Sequence, residues 1–340
     1  MTTPVSKLLP MSVMVILLGA NAAFPWSLKQ CIDPSGKTFS THLECEEAAA
    51  GSKPVTTQNN NNGIQANVDD QKNGNAEYEL GKKYHNGDGV GRDYQKALEL
   101  ITKSAYKGNI EAQYSLGLMY HEGDGVDKNL TKALEWFSKA ADQGHAKAQY
   151  ALGLMYGNGD GVVKDVHKAV EFYIEAANNG NATAENLLAA MCETGRGVPK
   201  DLNKSVIWRI RAADHGNATS ELLVGLMYYS GDRVAKNIAK SVDMLTKAAA
   251  QGEPKAQYYL GMMYNEGNGV GKDTQKAMEL FEKAADNGDN DAQYLFGVMY
   301  ASGIGATKDR QKAAMWLSRA ADQGDERAKE LLNDLLSNKL

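Results

Sequence analysis

The stretch IEAQYSLGLMYHEGDGVDKNLTKALEWFSKAADQGH, running from Ile110 to His145, decides the architecture. Its first half places Ala112, Leu116, Met119 and Tyr120 three or four residues apart, which is one apolar stripe of an α-helix. That spacing predicts a helix A over Ile110 to Glu122, ended by Gly123, since glycine enters the left-handed conformation of a helix C-terminus without steric penalty. Asn129 is a good N-cap for a helix B whose stripe is Ala133, Trp136, Phe137 and Ala140, with Gly144 closing it. The unit is a helical hairpin with two apolar faces, and it cannot bury both by itself.

The same hairpin recurs. Gly81, Gly117, Gly153, Gly225, Gly261 and Gly297 are spaced by multiples of 36 residues, with Ala189 in the one deviant slot. Three residues later stands Tyr84, Tyr120, Tyr156, Cys192, Tyr228, Tyr264 or Tyr300. The helix B cap is Asp93, Asn129, Asp165, Asp201, Asn237, Asp273 or Asp309. Seven copies follow one another without insertion or deletion over residues 74–323. Stacking them gives a continuous core in which each unit touches its neighbours, and the ends should differ. Lys82 and Lys83 suit an exposed first helix, and Ala328, Leu332, Leu335 and Leu336 with polar neighbours suit a capping helix within 324–340. The fourth copy departs at Asn186, Ala189 and Cys192, which predicts locally looser packing. Its Cys192 falls on the buried stripe and reads as a packed thiol. Trp136, Trp208 and Trp316 share one helix B slot and read as core or near-core.

The pattern Ala-x-x-x-Leu-Gly-x-x-Tyr-x-x-Gly-x-Gly-Val, followed by Asp-x-x-Lys-Ala and Ala-Ala-x-x-Gly, resembles the Sel-one-like repeat family, a relative of the tetratricopeptide repeat. The resemblance covers about three quarters of the chain. It implies an all-α, right-handed α/α superhelical solenoid whose members act as adaptors and scaffolds. It also implies a concave face lined by helix A, with the slots of Tyr114, Leu118, His121 and Glu122 exposed on it. Partner-binding candidates on that analogy are Tyr114, Tyr150, Tyr258 and Tyr294 from the first slot, and His121, Tyr229 and Asn265 from the varied third slot. Tyrosine is a common interface anchor. The tyrosine row reads equally well as helix packing.

Before the repeats the chain reads differently. Lys7, the apolar stretch Met11 to Gly19 and the small residues Ala20 and Ala22 form a signal-peptide pattern over residues 1–22. The apolar run is too short for a stable membrane span. The expectation is an exported chain, periplasmic or secreted. Residues 23–47 contain Cys31-Ile32 and Lys37 to Ser40 about the turn Asp33-Pro34-Ser35-Gly36, a small hairpin. An oxidising compartment would pair Cys31 with Cys45, closing a loop worth about 3 kcal/mol in the chain-entropy model. This segment resembles a small domain of unknown function found behind bacterial signal peptides. Residues 48–73, with the run Asn59 to Asn62, are polar enough to read as a flexible linker.

Net charge is −5, so there is no basic excess to neutralise phosphates and nucleic acid is a poor partner. No nucleophile elbow, zinc-helix motif or spaced acid pair stands out, and the expectation is a chain with no catalytic residues, metal or cofactor. The loop His85 to Gly89 and its copy from His121 lack the acidic last ligand of a calcium loop and follow no strand, so they read as turns. Secreted cysteine-rich relatives reported to bind or hydrolyse β-lactams carry paired cysteines in most repeats, and this repeat region has Cys192 alone. The function expected is a non-catalytic scaffold holding a protein or peptide, and the family resemblance implies a setting in envelope assembly or host interaction. The alternatives are an envelope hydrolase or a glycan binder.

Overall fold

The computed structural model describes residues 31–32, 38–39, 73–303 and 306–337. The first compact unit ends at Asn60 and contributes only β1 (Cys31–Ile32) and β2 (Thr38–Phe39), which pair antiparallel with Cys31 opposite Phe39. The turn Asp33 to Gly36 and the rest of the expected hairpin lie outside the described residues. The signal peptide, the linker up to residue 72 and Cys45, and with it the expected disulfide, lie outside the described residues.

The second unit is helical throughout its described residues. Its hairpins are α1 (Asn75–Asn86) with α2 (Tyr94–Tyr106), α3 (Ile110–Glu122) with α4 (Leu130–Asp142), and α5 (Ala146–Asn158) with α6 (Val166–Asn178). They continue as α7 (Ala182–Thr194) with α8 (Leu202–Asp214), α9 (Ala218–Ser230) with α10 (Ile238–Ala250), and α11 (Pro254–Glu266) with α12 (Thr274–Asp286). The last pair is α13 (Asn290–Ser302) with α14 (Arg310–Asp322), and α15 (Glu326–Leu336) covers the end. Each helix packs chiefly on the one before and the one after it, as a solenoid requires.

Local chemistry sets the helix bounds. Asn129 takes an extended φ of −146° and its side chain accepts from the Lys132 N–H, and the equivalent Asp or Asn does the same in every copy. Each such cap is worth about 1 kcal/mol. Gly123 ends α3 at φ 79°, its N–H donating to the Met119 carbonyl. The Asn129 N–H then donates to the Tyr120 carbonyl across the turn, 2.8 Å, which brings helix B back antiparallel.

The small residue in mid helix A has a specific tenant. A methyl group on Gly117 would stand 2.5 Å from the Phe137 ring, and one on Gly153 would stand 2.4 Å from the Tyr173 ring. The notch therefore receives the large side chain of the copy's own helix B.

A polar latch ties successive elements. Gln113 is buried in helix A, and its Nε2 donates to the Ala105 carbonyl at the end of the preceding helix B. Its Oε1 accepts from Gln143 at the end of its own helix B, 2.7 Å. Gln149, Gln257 and Gln293 repeat the arrangement. The fifth copy has Glu221 there, 3% exposed, with Gln251 donating to it at 2.7 Å. An ionised carboxylate has no proton for the Ala213 carbonyl, and burial raises the Glu221 pKa above its ordinary 4.5. A raised folded-state pKa means a contribution that is present below the unfolded pKa and lost as pH rises through the folded one. Glu221→Gln should therefore stabilise the chain by about 1 kcal/mol at pH 7 and gain little near pH 4. Thermal unfolding at both pH values checks this; an equal gain at both would contradict it.

Candidate functional site

Helices A of successive copies lie side by side. Tyr78 Oη is 3.0 Å from Ser115 Oγ, His85 Nε2 is 2.6 Å from Asp124 Oδ2, and Arg327 donates to Asp291 at 2.8 Å. Equivalent slots are thus neighbours along one face. The tyrosine slot is a wall of this face more than its free surface. Tyr114 is half-buried, its ring 5.8 Å from Phe137 and 4.6 Å from His145, and Tyr150 lies 5.8 Å from Tyr173. Burial raises the pKa of both phenols and pushes that of Tyr258 up to about 12. Tyr294 carries the Arg327 guanidinium over its ring at 4.6 Å. Of the third slot, His121 is half-buried with its ring 6.3 Å from Phe137, Tyr229 is half-buried, and Asn265 is exposed. His85 is a link to the next turn through Asp124, not a solvated groove histidine.

Between these slots runs an apolar strip. Leu118, Leu154, Ala190, Leu226, Met262 and Val298 are half-buried or exposed, with Leu154 38% exposed. Beside them stand Ala151, Leu187, Leu223, Tyr259 and Leu295, all half-buried. The second row was missed by analogy with the tetratricopeptide slots. Its signal was in the sequence: from the third copy to the seventh, an apolar residue stands three positions before each of Leu154, Ala190, Leu226, Met262 and Val298, which one helix face must present together.

The other recurrent tyrosine has a packing duty. Lys132 Nζ lies 4.8 Å from the Tyr120 ring, and the same Lys–Tyr pair recurs in the copies of Tyr84, Tyr156, Tyr228, Tyr264 and Tyr300. Cys192 removes that ring in the fourth copy. It is 5% exposed, and burial raises its thiol pKa, which fits a packed and unreactive group. Trp136 and Trp316 are buried and Trp208 half-buried, as core positions.

The fourth copy is not loosely packed. Arg209 occupies the slot of Phe137 and is buried, and its flexible stem coexists with the Ala189 methyl where a ring could not. Arg209 donates to Asn186 Oδ1 at 3.2 Å and to Glu193 Oε2 at 2.9 Å. Ser220 donates to Asn186 at 2.9 Å, and Arg233 to Glu193 Oε1 at 3.3 Å. A polar network fills the volume that an aromatic pair fills in the second, third and sixth copies. Among the described residues no group of three or more His, Cys, Asp or Glu is placed to hold a metal ion. No helix there is long and apolar enough to cross a membrane.

The Sel1 repeat family matches residues 74–109, 110–145, 146–181, 182–217, 218–253, 254–289 and 290–325. The chain belongs to the Sel1 repeat family. Among solved structures it is similar to a protective antigen present in uropathogenic Escherichia coli strains that displays an SLR fold. The identity is 36% and the TM-score 0.66, over 79% of this chain and 58% of that one. This chain thus spans little more than half of that relative. It is also similar to a Sel1 repeat protein from Oxalobacter formigenes, at 34% identity and TM-score 0.61, over 72% of this chain and 99% of that one. Among curated proteins nothing matches. Sel1 repeats mediate protein interactions, and the helix A face is where this Sel1 chain presents a row of half-buried to exposed apolar side chains.

Proposed function

We propose that this Sel1 repeat chain is an exported, non-catalytic scaffold that holds a partner polypeptide along the row of helices A. The observation that carries the reading is the apolar strip from Leu118 to Val298, bordered by Tyr114, Tyr150, Tyr258 and Tyr294. Apolar surface continuous over several copies is where an extended partner gains most from leaving water. His121, Tyr229 and Asn265 vary between copies and give the strip local character. Export is supported by the leader pattern in residues 1–22, and a similar protein described as a protective antigen is in keeping with it.

Leu154 and Ala190 are exposed, so charge there leaves the core alone. In affinity capture from envelope extract, L154E/A190E should lower retention of a specific partner at least tenfold, roughly 1.4 kcal/mol, while circular dichroism is unchanged. The pair Y114A/Y150A should act in the same direction. Retention unchanged in both variants would remove the face from the mechanism.

A further inference from the structure

Three slots of the repeat hold arginine once each, and two of these arginines, Arg209 and Arg233, meet at Glu193. Arg196 stands where other turns have Asp88, Asp124, Asp160 or Asp232, Arg209 where they have large apolar side chains, and Arg233 where they have glycine. Arg233 is the one non-glycine among the described residues with positive φ, 62°, in the left-handed conformation that Gly125, Gly161 and Gly197 adopt in the same slot. A side chain held there against the backbone preference is an outlier that points to a use.

The use is legible in the geometry. Arg209 forms the buried floor, Arg233 comes from the turn of the next copy with its side chain 39% exposed, and both donate to the Glu193 carboxylate between them. Glu193 and Asp232 balance the two arginines, Asp232 lying 3.7 Å from Arg233. The rest of the strip is apolar or aromatic. Glu193 is 34% exposed, so it can move aside for a carboxylate that arrives from solvent.

We propose that Arg209 and Arg233 receive an internal Asp or Glu side chain of the polypeptide held along the helix A face. Paired arginines suit a carboxylate through their planar, multiply donating guanidinium groups. An internal residue is favoured over a chain terminus because three copies precede and two follow the fourth and fifth, so the strip continues on both sides. The inference rests on the groove reading above and names what the middle of the groove selects.

The test uses the full chain and arrays of short peptides, capped at both ends, with randomised apolar flanks and a fixed central Glu, Gln or Lys. A matching array ends in a free carboxylate. Wild type should retain Glu peptides over Gln peptides at least tenfold, roughly the discrimination that an unpaired charge imposes. Arg233→Gly restores the residue of the other turns and relieves the positive φ, so the fold is kept while the preference falls to near unity. The combination A189G/R209F restores an aromatic ring over a glycine and should do the same. Equal retention of Glu and Gln by wild type, or a preference that survives R233G, overturns the inference. Preference for the free-carboxylate array overturns the internal assignment. L154E/A190E should lose Glu and Gln peptides alike, whereas R233G loses only the distinction, so the two readings fail separately. Retention of no peptide by wild type removes both.

Discussion

Phe137→Ala is expected to lower the unfolding free energy by about 3–5 kcal/mol. Phe137 is 1% exposed, its ring occupies the notch above Gly117, and Tyr114 lies against it at 5.8 Å. Removing the ring empties a volume that α3 and α4 cannot close, because the latch Gln143–Gln113 and the cap at Asn129 hold both helices in place. The cavity explanation makes a sharper claim about Gly117. In wild type, Gly117→Ala gains about 1 kcal/mol of helix propensity but drives a methyl into the ring, at a penalty of about 1–3 kcal/mol, so it should be neutral or destabilising. In the Phe137→Ala background the obstacle is gone, and the same Gly117→Ala should stabilise by about 1 kcal/mol. Urea denaturation of the four proteins reads this directly. Glycine substitution with the same sign in both backgrounds would show that the notch serves something other than the ring. The loss should also broaden the transition, since a weak copy in a linear array lets the two sides separate.

Helix bounds were legible because one residue decides each of them. Asn129 and its equivalents announce helix B, Gly123 and its equivalents end helix A, and a 36-residue register repeated seven times excludes other alignments. The solenoid followed from the impossibility of burying two stripes with one hairpin. The Gly117 notch was only half legible. A small residue in a helix says that something is close, but not that the neighbour is Phe137, 20 residues later. The Gln113 latch was invisible, because a polar residue beside a stripe reads as a surface position until the Ala105 carbonyl is placed opposite it. The tyrosine row was legible both as interface and as helix packing, but what it packs against was not. Tyr114 leans on Phe137 and His145, contacts that span two elements. The fourth copy misled for a definite reason. Asn186 and Ala189 each read alone as a weaker match to the pattern, and only their proximity to Arg209 shows that the departures compensate one another.

The same copy carries the second large effect. Arg211→Ala should cost about 2–4 kcal/mol, because it strips a charge from a partner that has no access to water. Glu185 holds the latch slot that Gln113 and Gln149 hold elsewhere, and it is 0% exposed. It cannot donate to the Ala177 carbonyl as a glutamine would. Arg211 takes over that donation at 3.2 Å and pairs with Glu185 Oε1 at 3.2 Å, while His215 Nδ1 lies 2.8 Å from Oε2. Without Arg211 the Ala177 carbonyl loses its side-chain donor, and the buried carboxylate keeps only the imidazole. The remedy follows from the other copies. Glu185→Gln restores a neutral side chain with an N–H for that carbonyl, so R211A/E185Q should return to within about 1 kcal/mol of wild type. Thermal unfolding of the wild type, the two single variants and the double variant measures the coupling. If the double is as unstable as R211A, the loss comes from the arginine's own packing over Trp208, 4.8 Å from its ring, and not from the stranded charge. If the double recovers, Glu185 and Arg211 are a matched exchange for the glutamine latch, one that keeps the register of the repeat while admitting ionic groups to its centre.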